Sequence, residues 1–213
     1  MLIYGALLSP FVRKVCLAAE EKGIAYEGKP AGPGSDNPGF LQASPFGKIP
    51  ALRDGDFTLA DSSAIIAYME AKHPEPALIP AAAKARGRAI WFDEYADTIL
   101  AGAGLKVLFH RLVGPKLLKK AGDERIAAEG EAELPRIFDY LESACGEGWL
   151  VDDSFSLADI AVASQLRALE YVEVAPRAEP YPAITAWYAR VRARPSWQTL
   201  AVAETALREK LGL

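Results

Sequence analysis

Cysteine is scarce in this chain: its 213 residues include two, Cys16 and Cys145, far apart. Thiols at that separation make no disulfide framework, and a reducing compartment is the default for such a protein. Histidine is as rare, and His73 and His110 form no cluster with the cysteines, so a metal site is unsupported. A basic surplus is missing too. The formal net charge of -4 and a pI near 5.4 argue against a nucleic-acid binder. No apolar run approaches the ~20 residues that cross a bilayer. A signal peptide is not expected, because Leu2-Ile3-Tyr4 is short and is followed by Ser9-Pro10 and Arg13-Lys14. Internal repeats and low-complexity tracts are absent. Together these absences predict a soluble cytoplasmic protein that partners neither nucleic acid nor membrane.

What is present is ordinary for a globular chain. Apolar residues make up 51% and charged residues 24%, which excludes disorder. The length suits one large domain or two small ones. Leu2-Ile3-Tyr4 reads as a buried strand, and Ser9-Pro10 opens a helix to about Lys22, with Gly23 as its stop. Phe11, Val15 and Ala18/Ala19 give that helix a core face. Ile24 to Lys29 supplies a second strand, completing a right-handed parallel unit.

The stretch 44–63, SPFGKIPALRDGDFTLADSS, is the most informative. Pro45 and Gly47 mark a loop, and Pro50 stands at a strand entrance, where its missing N–H is tolerated. Asp54-Gly55-Asp56 signals a hairpin, with Phe57-Thr58-Leu59 returning, and Asp61-Ser62-Ser63 precedes a helical run. Unpaired backbone groups beside a helix N-terminus suit a small, extended, anionic peptide. Residues 1–75 thus read βαβ then ββα, a small mixed sheet covered by helices. Pro74, Pro76 and Pro80 stiffen a linker over 76–83.

Residues 84–213 read as all-helical. Ala89, Phe92, Ala96, Ile99 and Ala103 share one stripe up to a break at Pro115. A helix over 123–144 must be kinked or broken by Pro135. Helices over 155–172, 182–193 and 196–210 follow. Phe155 to Ile160 forms a capping box with a hydrophobic staple, Ser156 at the N-cap and Asp159 at its third position.

Ser9-Pro10-Phe11 to Val15, Ser44 to Leu52, Asp61-Ser62 and Phe155 to Ile160, in that order, resemble the cytosolic glutathione transferase family, in a serine-type, bacterial-like form. The similarity spans the chain. It implies a thioredoxin-like N-terminal domain, an all-helical C-terminal one, and glutathione as co-substrate without a metal. The implied activity is conjugation of glutathione to small hydrophobic electrophiles, as in detoxification, by a homodimer.

On that resemblance Ser9 is the catalytic residue. Serine before proline is also an ordinary helix N-cap, and the two roles do not compete. A helix N-terminus favours an anion. Lowering a thiol pKa of about 8.5 by two units takes about 2.7 kcal/mol. One hydroxyl hydrogen bond to a charged acceptor, about 1.5–3 kcal/mol, together with the dipole could supply it. Ser9 would act as a donor to the thiolate, neither base nor nucleophile. Tyr4 is the alternative donor, with a place in the core as its plainer role. Cys16 reads as a small buried hydrophobe.

The resemblance also implies a cis bond between Ile49 and Pro50, whose neighbouring backbone would pair with the cysteinyl residue. Lys48 would meet a carboxylate or stand in solvent. Ser62 would receive the γ-glutamyl carboxylate, and Asp61 would orient that zwitterionic end, both also serving as helix-start residues. Asp97 is either a surface aspartate or a partner for the ligand's ammonium across a dimer. Leu7, Phe11, Leu105 and Phe109 are candidates for a hydrophobic substrate site or for core. Alternatives to the transferase are a scaffold protein on the same fold and a glutathione-dependent isomerase, a branch that carries Ser-Ser-Cys where this chain has Leu8-Ser9-Pro10.

Overall fold

Strand β1 (Leu2–Tyr4) is central to a four-stranded sheet of order β2-β1-β3-β4. It pairs in parallel with β2 (Glu27–Lys29) and antiparallel with β3 (Ala51–Asp54). β3 turns through Gly55-Asp56 into β4 (Phe57–Ala60). Gly55 supplies the left-handed φ of 65° that this tight turn requires. Helices α1 (Pro10–Glu21), α2 (Pro38–Ala43) and α3 (Ser62–Lys72) complete the βαβ-ββα arrangement expected above. Val15, Leu17, Leu52, Ile65, Ile66 and Met69 are fully buried in its core.

The computed structural model describes residues Met1–Leu213 and divides them into two units, Met1–Ile79 with Pro195–Leu213, and Pro80–Arg194. The last helix, α9 (Pro195–Leu211), was expected with the helical second half; it packs instead on α1. Its contacts there are taken up below. The second strand is also shorter than expected. Gly23 at φ 64° closes α1, with its N–H on Glu20 and that of Ile24 on Ala19, so Ile24 belongs to the helix cap.

The proline-rich segment after α3 is fastened within the first unit. Lys22 Nζ is buried, pairs with Glu70 at 2.6 Å, and donates to the carbonyls of His73 and Pro76 at 2.7 and 2.8 Å. Glu70 in turn accepts the N–H groups of Leu78 and Ile79, each at 3.1 Å to Oε1.

The second unit is helical throughout. α4 (Ala83–Glu94) runs through a π-helical stretch, Tyr95–Leu100, into α5 (Ala101–Leu108) and a second π-helical stretch, Phe109–Leu117. Ile99 is exposed, contrary to expectation, and Leu100 takes the buried place, four residues after Ala96 and three before Ala103 on the same stripe. Pro115 lies inside the second π stretch and ends nothing. Pro135 likewise does not break α6 (Glu124–Ala144); it sits on an exposed face, so the bond it removes leaves a carbonyl within reach of water. α7 (Leu157–Glu170) and α8 (Pro182–Arg192) follow. No helix is long and apolar enough to cross a membrane.

Asp159 holds the start of α7. Its carboxylate accepts the N–H groups of Ser156 and Leu150, each at 3.0 Å, and Nε1–H of Trp187 at 2.7 Å. Burial holds its pKa above the usual carboxylate range despite these donors. Asp159→Ala strands all three donors, so it should destabilise the protein by about 3–5 kcal/mol. Urea titration of the intact protein checks this; a loss below about 1 kcal/mol contradicts the hub role assigned to Asp159.

Candidate functional site

Strand register gathers the predicted site residues at one end of the sheet. Tyr4 ends β1 opposite Ala51, and Ala51 starts β3 opposite Ala60, the last residue of β4. The loop leading to Ser9, the Lys48-Ile49-Pro50 segment and Asp61-Ser62 therefore all leave the sheet at that end.

Ser9 occupies the N-cap position of α1, with Pro10 as the first helical residue. Its N–H donates to the Ala6 carbonyl and its own carbonyl accepts from Arg13, both at 2.9 Å. The hydroxyl, however, makes no capping hydrogen bond. A half-buried hydroxyl at a helix N-terminus is thereby kept for another acceptor. The approach to it depends on Gly5, at φ 148°, where a Cβ would lie 2.4 Å from Val12 Cγ2.

Tyr4, the alternative donor, lies in the core. It is buried, its ring 6.0 Å from that of Phe40, and its hydroxyl lies so close to Gly39 that a Cβ there would be 2.8 Å away. Tyr4, Phe40, Ala43 and Ala51 form a core cluster. Cys16 is buried as well, and burial pushes its thiol up to about 11. The same cause lifts Cys145 to about 12, so neither is a ready thiolate.

The Ile49–Pro50 bond is cis, as are Glu75–Pro76 and Glu179–Pro180. Lys48 is exposed and Ile49 half-buried ahead of the strand ladder, which starts at Ala51. A residue not singled out from the sequence sets this loop. The Ser44 hydroxyl, buried, donates to the Lys48 carbonyl at 2.7 Å and accepts the Lys48 N–H at 2.9 Å. It closes the turn over Pro45, Phe46 and Gly47.

Asp61 caps α3 through one carboxylate oxygen, which accepts the N–H groups of Ser63 and Ala64 at 3.0 Å. It does so at φ 81°, the left-handed region that a non-glycine residue seldom enters. Ser62, the first residue of the helix, is buried. Ser63 accepts from Lys14 Nζ at 2.9 Å, so a buried cation of α1 is tied to the amino end of α3. Sequence inspection missed this link because residues 49 apart carry no mutual signal.

Among the apolar candidates, Leu7 and Phe11 flank Ser9 and are half-buried. Leu105 is half-buried in α5, and Phe109, four residues on, is exposed. Asp97 is half-buried in the first π stretch. No group of three His, Cys, Asp or Glu side chains is placed to hold a metal ion.

Residues 3–77 match the family model described as Glutathione S-transferase, N-terminal domain, and residues 104–195 that described as Glutathione S-transferase, C-terminal domain. A glutathione S-transferase of Hyoscyamus muticus is 31% identical over 205 residues, which are 92% of this chain and 95% of that protein. A solved glutathione S-transferase of Rhodospirillum rubrum F11 superposes with a TM-score of 0.84 at 30% identity, covering 92% of this chain and 89% of that one. Glutathione S-transferase I from maize, solved with an atrazine glutathione conjugate, gives 0.82 at 28% identity and covers 96% and 97%.

Removing the Ser44 hydroxyl leaves both backbone groups of Lys48 without their partner. Ser44→Ala should lower stability by about 1–3 kcal/mol and speed amide exchange at Lys48. Hydrogen-exchange mass spectrometry reads the second effect, and unchanged exchange over 44–50 refutes the clip.

Proposed function

The chain belongs to the glutathione S-transferase family, and from that premise we propose that the Ser9 hydroxyl donates a hydrogen bond to the thiolate of bound glutathione. The protein is a transferase. Its sulfur nucleophile attacks the electrophilic carbon of a small hydrophobic substrate, the S–C bond forms, and the leaving group departs with its electron pair. The observation that carries this assignment is the N-cap serine whose hydroxyl is not consumed in capping.

The remaining groups position the tripeptide. Ile49 presents its backbone before the ladder begins, in a loop clipped by Ser44, and pairs with the cysteinyl residue as a short added strand. Lys48, exposed beside it, meets a carboxylate of the ligand. Ser62, at the positive amino end of α3, receives the γ-glutamyl carboxylate, and Asp61, its cap fixed through one oxygen, orients the adjoining ammonium with the other. Leu7 and Phe11, beside Ser9, flank the sulfur side and offer it apolar surface. Catalysis then rests on positioning and on thiolate stabilisation. Two free cysteines suit a cytoplasmic place of action.

The active form we propose is a homodimer. Phe46, at the tip of the Ser44 turn, is 90% exposed, the most exposed of the large hydrophobic side chains, and serves as the anchor for the second copy. Phe46→Asp should convert the protein to monomer in sedimentation velocity; a sedimentation coefficient equal to the parent's rules this anchor out.

Ser9→Ala removes a donor to the charged form, so the thiol pKa of bound glutathione should rise. At pH 6.5 conjugation of an activated aryl halide should fall about 10–100-fold, a loss of about 1.4–2.8 kcal/mol, with KM for glutathione within about twofold. The loss should shrink as pH rises above the new pKa. A pH–rate profile identical to the parent's removes Ser9 from the mechanism.

A further inference from the structure

α3 packs on α1, and a polar contact crosses the seam between them. Lys14, in the second turn of α1, is only 1% exposed and donates from Nζ to the Ser63 hydroxyl at 2.9 Å. An apolar side chain of similar length would fill this place without desolvating an ammonium group. The lysine is therefore explained by the polar contact it makes rather than by packing.

Ser63 is the second residue of α3 and is held twice. Its N–H donates to Asp61 Oδ1 at 3.0 Å, and its hydroxyl accepts from Lys14. Successive helical residues point about 100° apart around the axis. Turning Ser63 onto α1 thus fixes the direction in which Ser62, one residue earlier, presents its side chain. The same contact steadies Asp61, whose φ of 81° persists only where the surrounding structure enforces it. Both residues assigned to the γ-glutamyl end of the tripeptide therefore adjoin Ser63 in the chain or in space. Ser9 stands at the other side of the link, five residues before Lys14.

We infer that Lys14 is a positioning residue for the γ-glutamyl end of glutathione, acting through Ser63 to set the amino end of α3 against α1. The inference rests on the assignment of Ser62 to the γ-glutamyl carboxylate. A plain brace between the two helices has a different signature, because loosening it disturbs Ser9 and the sulfur as much as the γ-glutamyl end.

The test compares kcat/KM for glutathione with that for cysteinylglycine, the same thiol without its γ-glutamyl group, using an activated aryl halide as acceptor. The proteins are the parent, Ser63→Ala, Lys14→Met, the double variant and Ser62→Ala. Ser63→Ala and Lys14→Met should each lower kcat/KM for glutathione about 3–10-fold, through KM, with cysteinylglycine within about twofold of the parent. The double variant should lose no more than the worse single one, because the two side chains act as one link. The ratio of the two thiols cancels the folded fraction, so a less stable variant does not imitate the effect. Equal losses on both thiols overturn the inference and leave Lys14 a brace of the fold. Losses that multiply in the double variant overturn it also, since Lys14 would then act without Ser63. A parental ratio in either Lys14→Met or Ser63→Ala, beside a lowered one in Ser62→Ala, removes the link from positioning and leaves the Ser62 assignment standing. If Ser62→Ala too keeps the parental ratio, the γ-glutamyl assignment fails and this inference falls with it.

Discussion

The first unit depends on where the amino end of α1 is held. That end carries the partial positive charge and open N–H groups that make a thiolate stable, and a shift of an ångström there would misplace both. Several independent restraints act on the helix. Gly5 lets the chain pass close over Val12, Lys14 reaches Ser63, Arg13 reaches Glu204, and Lys22 grips Glu70 and two carbonyls. Each joins α1 to a different part of the fold: the β1 loop, the start of α3, α9, and the segment after α3.

Three of those restraints are buried cations on one helix of twelve residues and its cap. Burying a charge costs several kcal/mol before any partner is counted, so such groups are poor devices for raw stability. They are good devices for uniqueness, because each has a single satisfactory arrangement. Trp197 under the Arg13 guanidinium belongs to the same logic, an aromatic face that accepts a planar cation in one orientation.

Punctuation made much of the fold legible in the sequence. Ser9-Pro10, Gly23, Asp54-Gly55-Asp56 and Ser156 to Asp159 each act within a few residues, and each appears as a start, stop or turn where local chemistry puts it. The errors came where a local rule met a neighbour. Ile24 looks like a strand residue but caps α1, Ile99 yields its buried place to Leu100, and Pro135 keeps its helix because its exposed side tolerates a missing bond. The site residues were legible through an ordered set of short motifs, whereas their supports were not. Ser44 carries no local signal of its clip, and Arg13, Lys14 and Lys22 none of their burial, because their partners are set by tertiary packing. Whether the Ser9 hydroxyl caps its own helix could not be read from residue type at all, since Asn37, with a similar extended backbone, caps its helix and Ser9 does not.

The membership of α9 in the first unit carries a consequence for the order of biogenesis. Arg13 and Glu204 are separated by 191 positions, so the first unit is discontinuous, and its closing piece leaves the ribosome long after α1. At about 5–20 residues per second, the arginine waits roughly 10–40 s for its carboxylate. During that interval the nascent thioredoxin-like portion carries an orphaned guanidinium on α1, and it cannot reach its final packing until α9 has been made.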